Sequence, residues 1–352
     1  MPARKTLNVT PVGFYCQNDR APESFPLPAC MASLMEALGE DYPVTTLHAH
    51  NRDYTQRTAN MDFLTASGMA FGLLWHREYC MSSLDLTQVQ LHDETIRHAF
   101  DWAGYEYETI EKSEDGGNRE DIRRRIVRSI DEGVPVLAFG IIGPPECLIL
   151  CGYDDDGDTL LGWSHFAEAW RAQREPGGMF RKTGWYDDLW KIVLTGKKSG
   201  RTCSLRDVLA RGLAIMEKTE TEGYAAGLAA YDEWIGYVRN PGLSDADDDT
   251  IKKRHGFHHC LVGNLAEARC WAVAFLRRAA QETGDDRLND IARCFQDIHD
   301  WCWKVWGVLG AFGDPDVWKG FRSAENRAKI AALLGEIKSF DMRAMDLLRQ
   351  AL

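Results

Sequence analysis

The sequence has ten cysteines but no Cys-x-x-Cys pair, which removes the usual zinc-ribbon and thioredoxin-like signals. It has no apolar run approaching the roughly 20 residues that a membrane-spanning helix needs. It also lacks a basic stripe: 41 Lys and Arg are scattered among 53 Asp and Glu, for a net charge of −12. A nucleic-acid footprint wants those cations gathered on one face, so nucleic acid is excluded as an expected partner. The first residues, MPARKTLNVTPVG, begin basic but have no apolar core behind them and do not read as a secretory signal. The expectation is a cytoplasmic protein with reduced thiols and no membrane partner. Most of its Cys then serve as small core hydrophobes.

What is present is ordinary globular material: 352 residues, 45% hydrophobic, with 12 Trp to contribute large burial. That length favours two domains. Pro11, Pro22, Pro26 and Pro28 punctuate an irregular start, after which Met31 to Leu38 reads as a helix stopped by Gly39. Residues 60–75 carry mixed signals. Within that stretch Met69, Phe71, Leu73 and Trp75 alternate like one face of a strand. Gln88 to Gly104 has helical spacing, Tyr105 to Ile110 alternates as a strand, and Ile122, Ile126 and Ile130 mark a helix ended by Gly133. Val134–Phe139 and Cys147–Tyr153 are apolar strands. The turn cluster Asp154–Asp158 then returns Thr159–Trp163 as a hairpin partner, and Trp190–Thr195 closes the sheet.

After Gly196–Gly200 the pattern changes. Ser204-Leu205-Arg206-Asp207 resembles a capping box, and helical periodicity continues to Leu352 with no strand candidate beyond residue 200. The reading is an α+β protein: a 1–198 domain with a mostly antiparallel sheet, then an all-α domain at 202–352.

The segment Phe25–Gly39, with Cys30 at its helix, and the hairpin ending in Gly152-Tyr153-Asp154 together resemble the papain-like superfamily. The branch is that of bacteriocin-leader peptidases and butirosin-type acyltransferases of antibiotic biosynthesis. The resemblance implies a papain-like first domain and thiolate attack by Cys30 on an acyl group. A helix N-terminus would lower the thiol pKa and supply oxyanion donors. It implies no cofactor and no metal, and a small-molecule substrate or ligand. A homo-oligomer stays open. One departure matters: where the family carries its catalytic His, this chain has Glu146, and beside the family's Asn or Asp position it has Ser164. An ionised Glu disfavours a neighbouring thiolate, so a general protease is not expected. Glu146 could instead serve as acid/base or anchor a cationic ligand, with Ser164 as its hydrogen-bond partner. His165, next along from Ser164, would face away from it on an extended strand.

Two readings follow. One is an amide hydrolase or acyltransferase with Cys30 as nucleophile. The other is a catalytically inactive papain-like protein that binds a small molecule through Glu146. Elsewhere, His255 and His259 stand at i, i+4, a spacing that can chelate a metal. Core histidines on an apolar helix are the plainer reading there. Trp271, Trp301, Trp303 and Trp306 read as helical core.

Overall fold

A computed structural model describes residues 3–14, 21–49, 52–77, 92–310 and 314–352. The chain divides into two compact units, Met1–Phe63 with Ile96–Cys203, and Leu64–Thr95 with Ser204–Leu352. In the second half of the chain the division falls between Cys203 and Ser204. The stretch 64–95, although it precedes the large sheet in sequence, groups with the second unit.

Reading from the N-terminus, β1 (Lys5–Thr6) precedes α1 (Pro26–Ala37), β2 (Val44–Ala49), β3 (Arg52–Arg57), α2 (Thr58–Ala66) and β4 (Leu74–His76). Next come α3 (His92–Ala103), β5 (Tyr105–Glu111), α4 (Arg119–Asp131), β6 (Val136–Phe139) and β7 (Cys147–Asp154). They are followed by β8 (Thr159–Trp163), β9 (Phe180–Thr183), α5 (Trp185–Asp188) and β10 (Lys191–Lys198). Past residue 203 lie α6 (Leu205–Met216), β11 (Glu220–Thr221), β12 (Tyr224–Ala226) and α7 (Gly227–Val238). The chain ends with α8 (Asp248–Thr283), α9 (Arg287–Gly307) and α10 (Ala324–Ala351).

The first unit is built on a seven-stranded sheet in the order β5-β10-β6-β7-β8-β9, with β1 also on β7 and every pairing antiparallel. Its central strands are apolar at consecutive positions because both faces are covered: all of β6 and Cys147 to Tyr153 of β7 are buried. The edge strand β5 instead exposes Glu106, Glu108 and Glu111, charges that discourage pairing with another chain. Ile122, Ile126 and Ile130 of α4 are fully buried in the sheet's core cluster, each contributing about 1.5–3 kcal/mol by leaving water.

The Gly152-Tyr153-Asp154 run has a structural reason at each position. β1 pairs Thr6 with Gly152, and a Cβ there would lie 2.8 Å from the Lys5 carbonyl oxygen. The Tyr153 hydroxyl donates to Asp131 at 2.8 Å. Asp154 accepts from Arg181 Nη1 at 2.7 Å and from the Asp155 N–H at 3.0 Å, which turns the chain into β8.

Among its described residues the second unit is helical apart from one small antiparallel sheet, β11-β12-β4. Strands therefore do occur beyond residue 200: Gly223, with φ +81°, turns β11 back on β12. Of the alternating run at 69–75, Met69–Phe71 forms a 3-10 turn and the strand is confined to Leu74–His76. The capping box is present in full, with Asp207 N–H donating to Ser204 Oγ and Ser204 N–H to Asp207 Oδ2. At the unit's centre Arg269 donates to both oxygens of Asp341, at 3.1 and 2.8 Å, and Tyr231 OH donates to the same carboxylate at 2.7 Å. Arg269 also reaches the carbonyls of Ala70 and Phe71, tying the turn before β4 to α8 and α10.

Candidate functional site

The helix carrying Cys30 starts earlier than its sequence suggests, at Pro26, with Phe25 as N-cap. Proline at the first turn is preorganised for a helix and has no N–H to lose. Cys30 therefore sits in the second turn of α1, a turn past the helix start. The first intrahelical bond runs from Ala29 N–H to Phe25 O at 3.3 Å. Pro26 and Pro28 offer no N–H, so of the first three helical residues only Leu27 has a free donor. Cys30 itself has 0% exposed surface. The expected donors around its sulfur are thus mostly missing from this helix terminus.

The adjoining face of α1 meets a buried polar assembly. Arg57, at the end of β3, donates Nε to Glu23 Oε1 at 2.8 Å and pairs its Nη2 with Glu23 Oε2. Its Nη1 reaches Ser33 Oγ at 2.9 Å and Glu36 Oε2 at 3.4 Å, and its Nη2 reaches the Ala29 carbonyl at 3.4 Å. Residues 29, 33 and 36 share one helical face, so a single guanidinium reads that face of α1. The Glu23 backbone carbonyl takes His165 Nε2 at 2.8 Å. A carbonyl only accepts, which fixes the proton on Nε2 and leaves a lone pair on Nδ1. That Nδ1 is buried and has no hydrogen-bond partner. Burial, with the Arg57 charge adding to it, pushes the His165 imidazole down to about 4 against the opposing effect of the Glu23 carbonyl. His165 is therefore neutral at physiological pH. Phe14 lies edge-on to it at 5.0 Å and to Phe166 at 5.1 Å, and Phe166 meets Trp170 at 5.5 Å.

Glu146 lies just before β7 rather than on it, 7% exposed, with its N–H bonded to the Pro144 carbonyl at 2.6 Å. Its loop is pinned at Gly143, whose φ is +85° and whose absent Cβ leaves room for Phe166. Ser164 follows the last residue of β8 and is also buried. Its hydroxyl accepts from the Phe166 N–H at 3.1 Å. α1 packs against β7, which brings the Cys30 helix to the strand that Glu146 introduces. Among the described residues no hydrogen bond joins Cys30 to Ser164, whose hydroxyl is taken by the Phe166 N–H.

No protein-family model and no curated protein matches this sequence.

The sequence reading missed Glu23 and Arg57. Both lie in stretches without apolar periodicity, and a charged residue there reads as solvated until tertiary packing buries it. The local hints were Ser33 and Glu36, polar residues inside an otherwise apolar helix. Among the described residues no group of three or more His, Cys, Asp or Glu is placed to hold a metal ion, and no helix is long and apolar enough to cross a membrane.

Proposed function

We propose that the first unit is a papain-like scaffold that holds a small molecule, with Glu146 anchoring a cationic group and Cys30 serving as part of the core. The observation that supports this is the setting of Cys30: no exposed surface, in the second turn of a helix whose terminal donors are largely replaced by proline. A sulfur nucleophile needs access for an acyl carbon, and the oxyanion formed needs free donors. The absence of disulfides among the described cysteines suits a reducing cytoplasm. Iodoacetamide treatment of the native protein, read by peptide mass mapping, tests the reading. Cys30 is expected to stay unmodified under conditions that fully alkylate it in urea, and selective native modification would overturn it. A panel of small primary amines should raise the Tm of the wild type and not of Glu146→Gln.

A second reading, acyl transfer by Cys30 as an amide hydrolase or acyltransferase, is favoured by one observation: the neutral His165 with its bare Nδ1 lone pair. In that reading His165, positioned by the Glu23 carbonyl, takes the thiol proton. Sulfur then bonds the acyl carbon, and the proton passes to the leaving group. Glu146 and Ser164 would orient the substrate. A stoichiometric burst of p-nitrophenol from p-nitrophenyl acetate, abolished in Cys30→Ala and slowed in His165→Gln, would support it. Absence of a burst would remove it.

A further inference from the structure

Three histidines fall close together on α8, and packing treats them differently. His258 is committed: its Nδ1 accepts Trp234 Nε1–H at 3.0 Å, and its ring stacks on Phe321 at 5.2 Å. His255 and His259 are one helical turn apart and so emerge on the same face. Their ring centroids are 5.5 Å apart with planes inclined by 39°. A metal ion about 2.0–2.1 Å from an imidazole nitrogen lies roughly 3.2 Å from the ring centre, so two rings at a tetrahedral angle have centres about 5.2 Å apart. The His255–His259 pair is already near that spacing. His255 and His258, at 6.4 Å, could share an ion only if it lay nearly in line between them.

We propose that His255 and His259 form a two-imidazole site for a divalent transition metal, zinc, copper or nickel, with water completing the coordination. Imidazole nitrogen is a donor these ions accept readily, whereas magnesium and calcium prefer oxygen. With no third ligating side chain among the described residues, the site is open and exchangeable, unlike the closed four-ligand sites that hold folds together. Phe321, 5.8 Å from His255, and Trp306, 5.7 Å from His259, flank the pair and limit how far either ring can swing. His255 is buried and His259 only partly so, which makes the His259 side the route of entry.

Calorimetric titration of the full chain with zinc chloride and with nickel chloride at pH 7.5 tests the proposal. The wild type is expected to bind one ion, with affinity at least ten-fold lower in His255→Gln and in His259→Gln. His259→Cys, which keeps a zinc donor one turn from His255, should retain zinc. Circular dichroism and the urea midpoint of each variant separate lost binding from lost folding. If His255→Gln fails to fold, His259→Gln at the more exposed position carries the test. A wild type that binds neither ion, or folded glutamine variants that bind within three-fold of it, overturns the site.

Discussion

Arg57 and Glu23 are 2% and 3% exposed, as deeply buried as the leucines of α1. Two charges at that depth are tolerable only together, since removing one leaves the other desolvated and unpaired. Arg57→Met should therefore destabilise the protein by about 3–5 kcal/mol in urea unfolding. The double variant Arg57→Met/Glu23→Leu should recover much of that loss, and a double variant no more stable than the single would contradict the pairing. His165 makes a second prediction at this scale. Its imidazole is held at about 4 in the folded chain, against about 6.5 when unfolded, so between those values the unfolded state binds the extra proton. The stability it contributes is full above pH 6.5 and is lost as pH falls toward 4, a change on the order of 3 kcal/mol. His165→Phe should flatten the pH dependence of the urea midpoint in that window, and an unchanged slope would refute the assignment. Neither the Arg57–Glu23 pair nor the neutral state of His165 was legible in the sequence. Each depends on packing between residues far apart in the chain.

At the scale of elements, the legible parts were those whose signal is local. The helices α4, α9 and α10, strands β6 and β7, the turn at 154–158 and the Ser204 capping box all announce themselves by periodicity or turn chemistry. The start of α1 did not, because Pro26 and Pro28 read as breakers when they are in fact first-turn residues. That shift of one turn is what moves Cys30 from a helix terminus into its interior. The paired strands β2 and β3 are too polar, and β11 and β12 too short, for a pattern. The Gly152-Tyr153-Asp154 run, which suggested a family, is explained by contacts with β1, Asp131 and Arg181, so its presence reports on the hairpin's construction and is silent on catalysis. Gly162 on β8 is a test of that construction: a Cβ there would collide with the Ile149 carbonyl oxygen across the β7–β8 ladder. Overpacking against backbone typically costs about 1–3 kcal/mol. Gly162→Ala should lower the urea midpoint accordingly, while Gly177→Ala, where nothing stands within 4 Å, should leave it nearly unchanged. Equal effects would mean that β7 and β8 are not registered as described.

For the molecule as a whole, the cysteines bear on activity. None of the eight among the described residues is in a disulfide, while Cys16 and Cys80 lie outside them. Burial pushes the Cys151 thiol up to about 12 and the Cys270 thiol to about 11, and raises Cys302 further still. The thiolate is the reactive form, so at pH 7.5 the buried Cys151 and Cys302 react only when the surrounding structure opens. In a time course with Ellman's reagent followed by mass mapping, Cys151 and Cys302 should therefore react at the rate of unfolding, and that rate should rise with urea. Such slow thiols are the internal standard against which Cys30 is measured. If Cys30 reacts in step with Cys151, it is a core residue and the binding reading stands. If it reacts orders of magnitude sooner while Cys151 stays protected, α1 opens locally in the native state and the acyl-transfer reading takes its place. Fast modification of Cys151 itself would contradict the packing of β7, on which both readings rest.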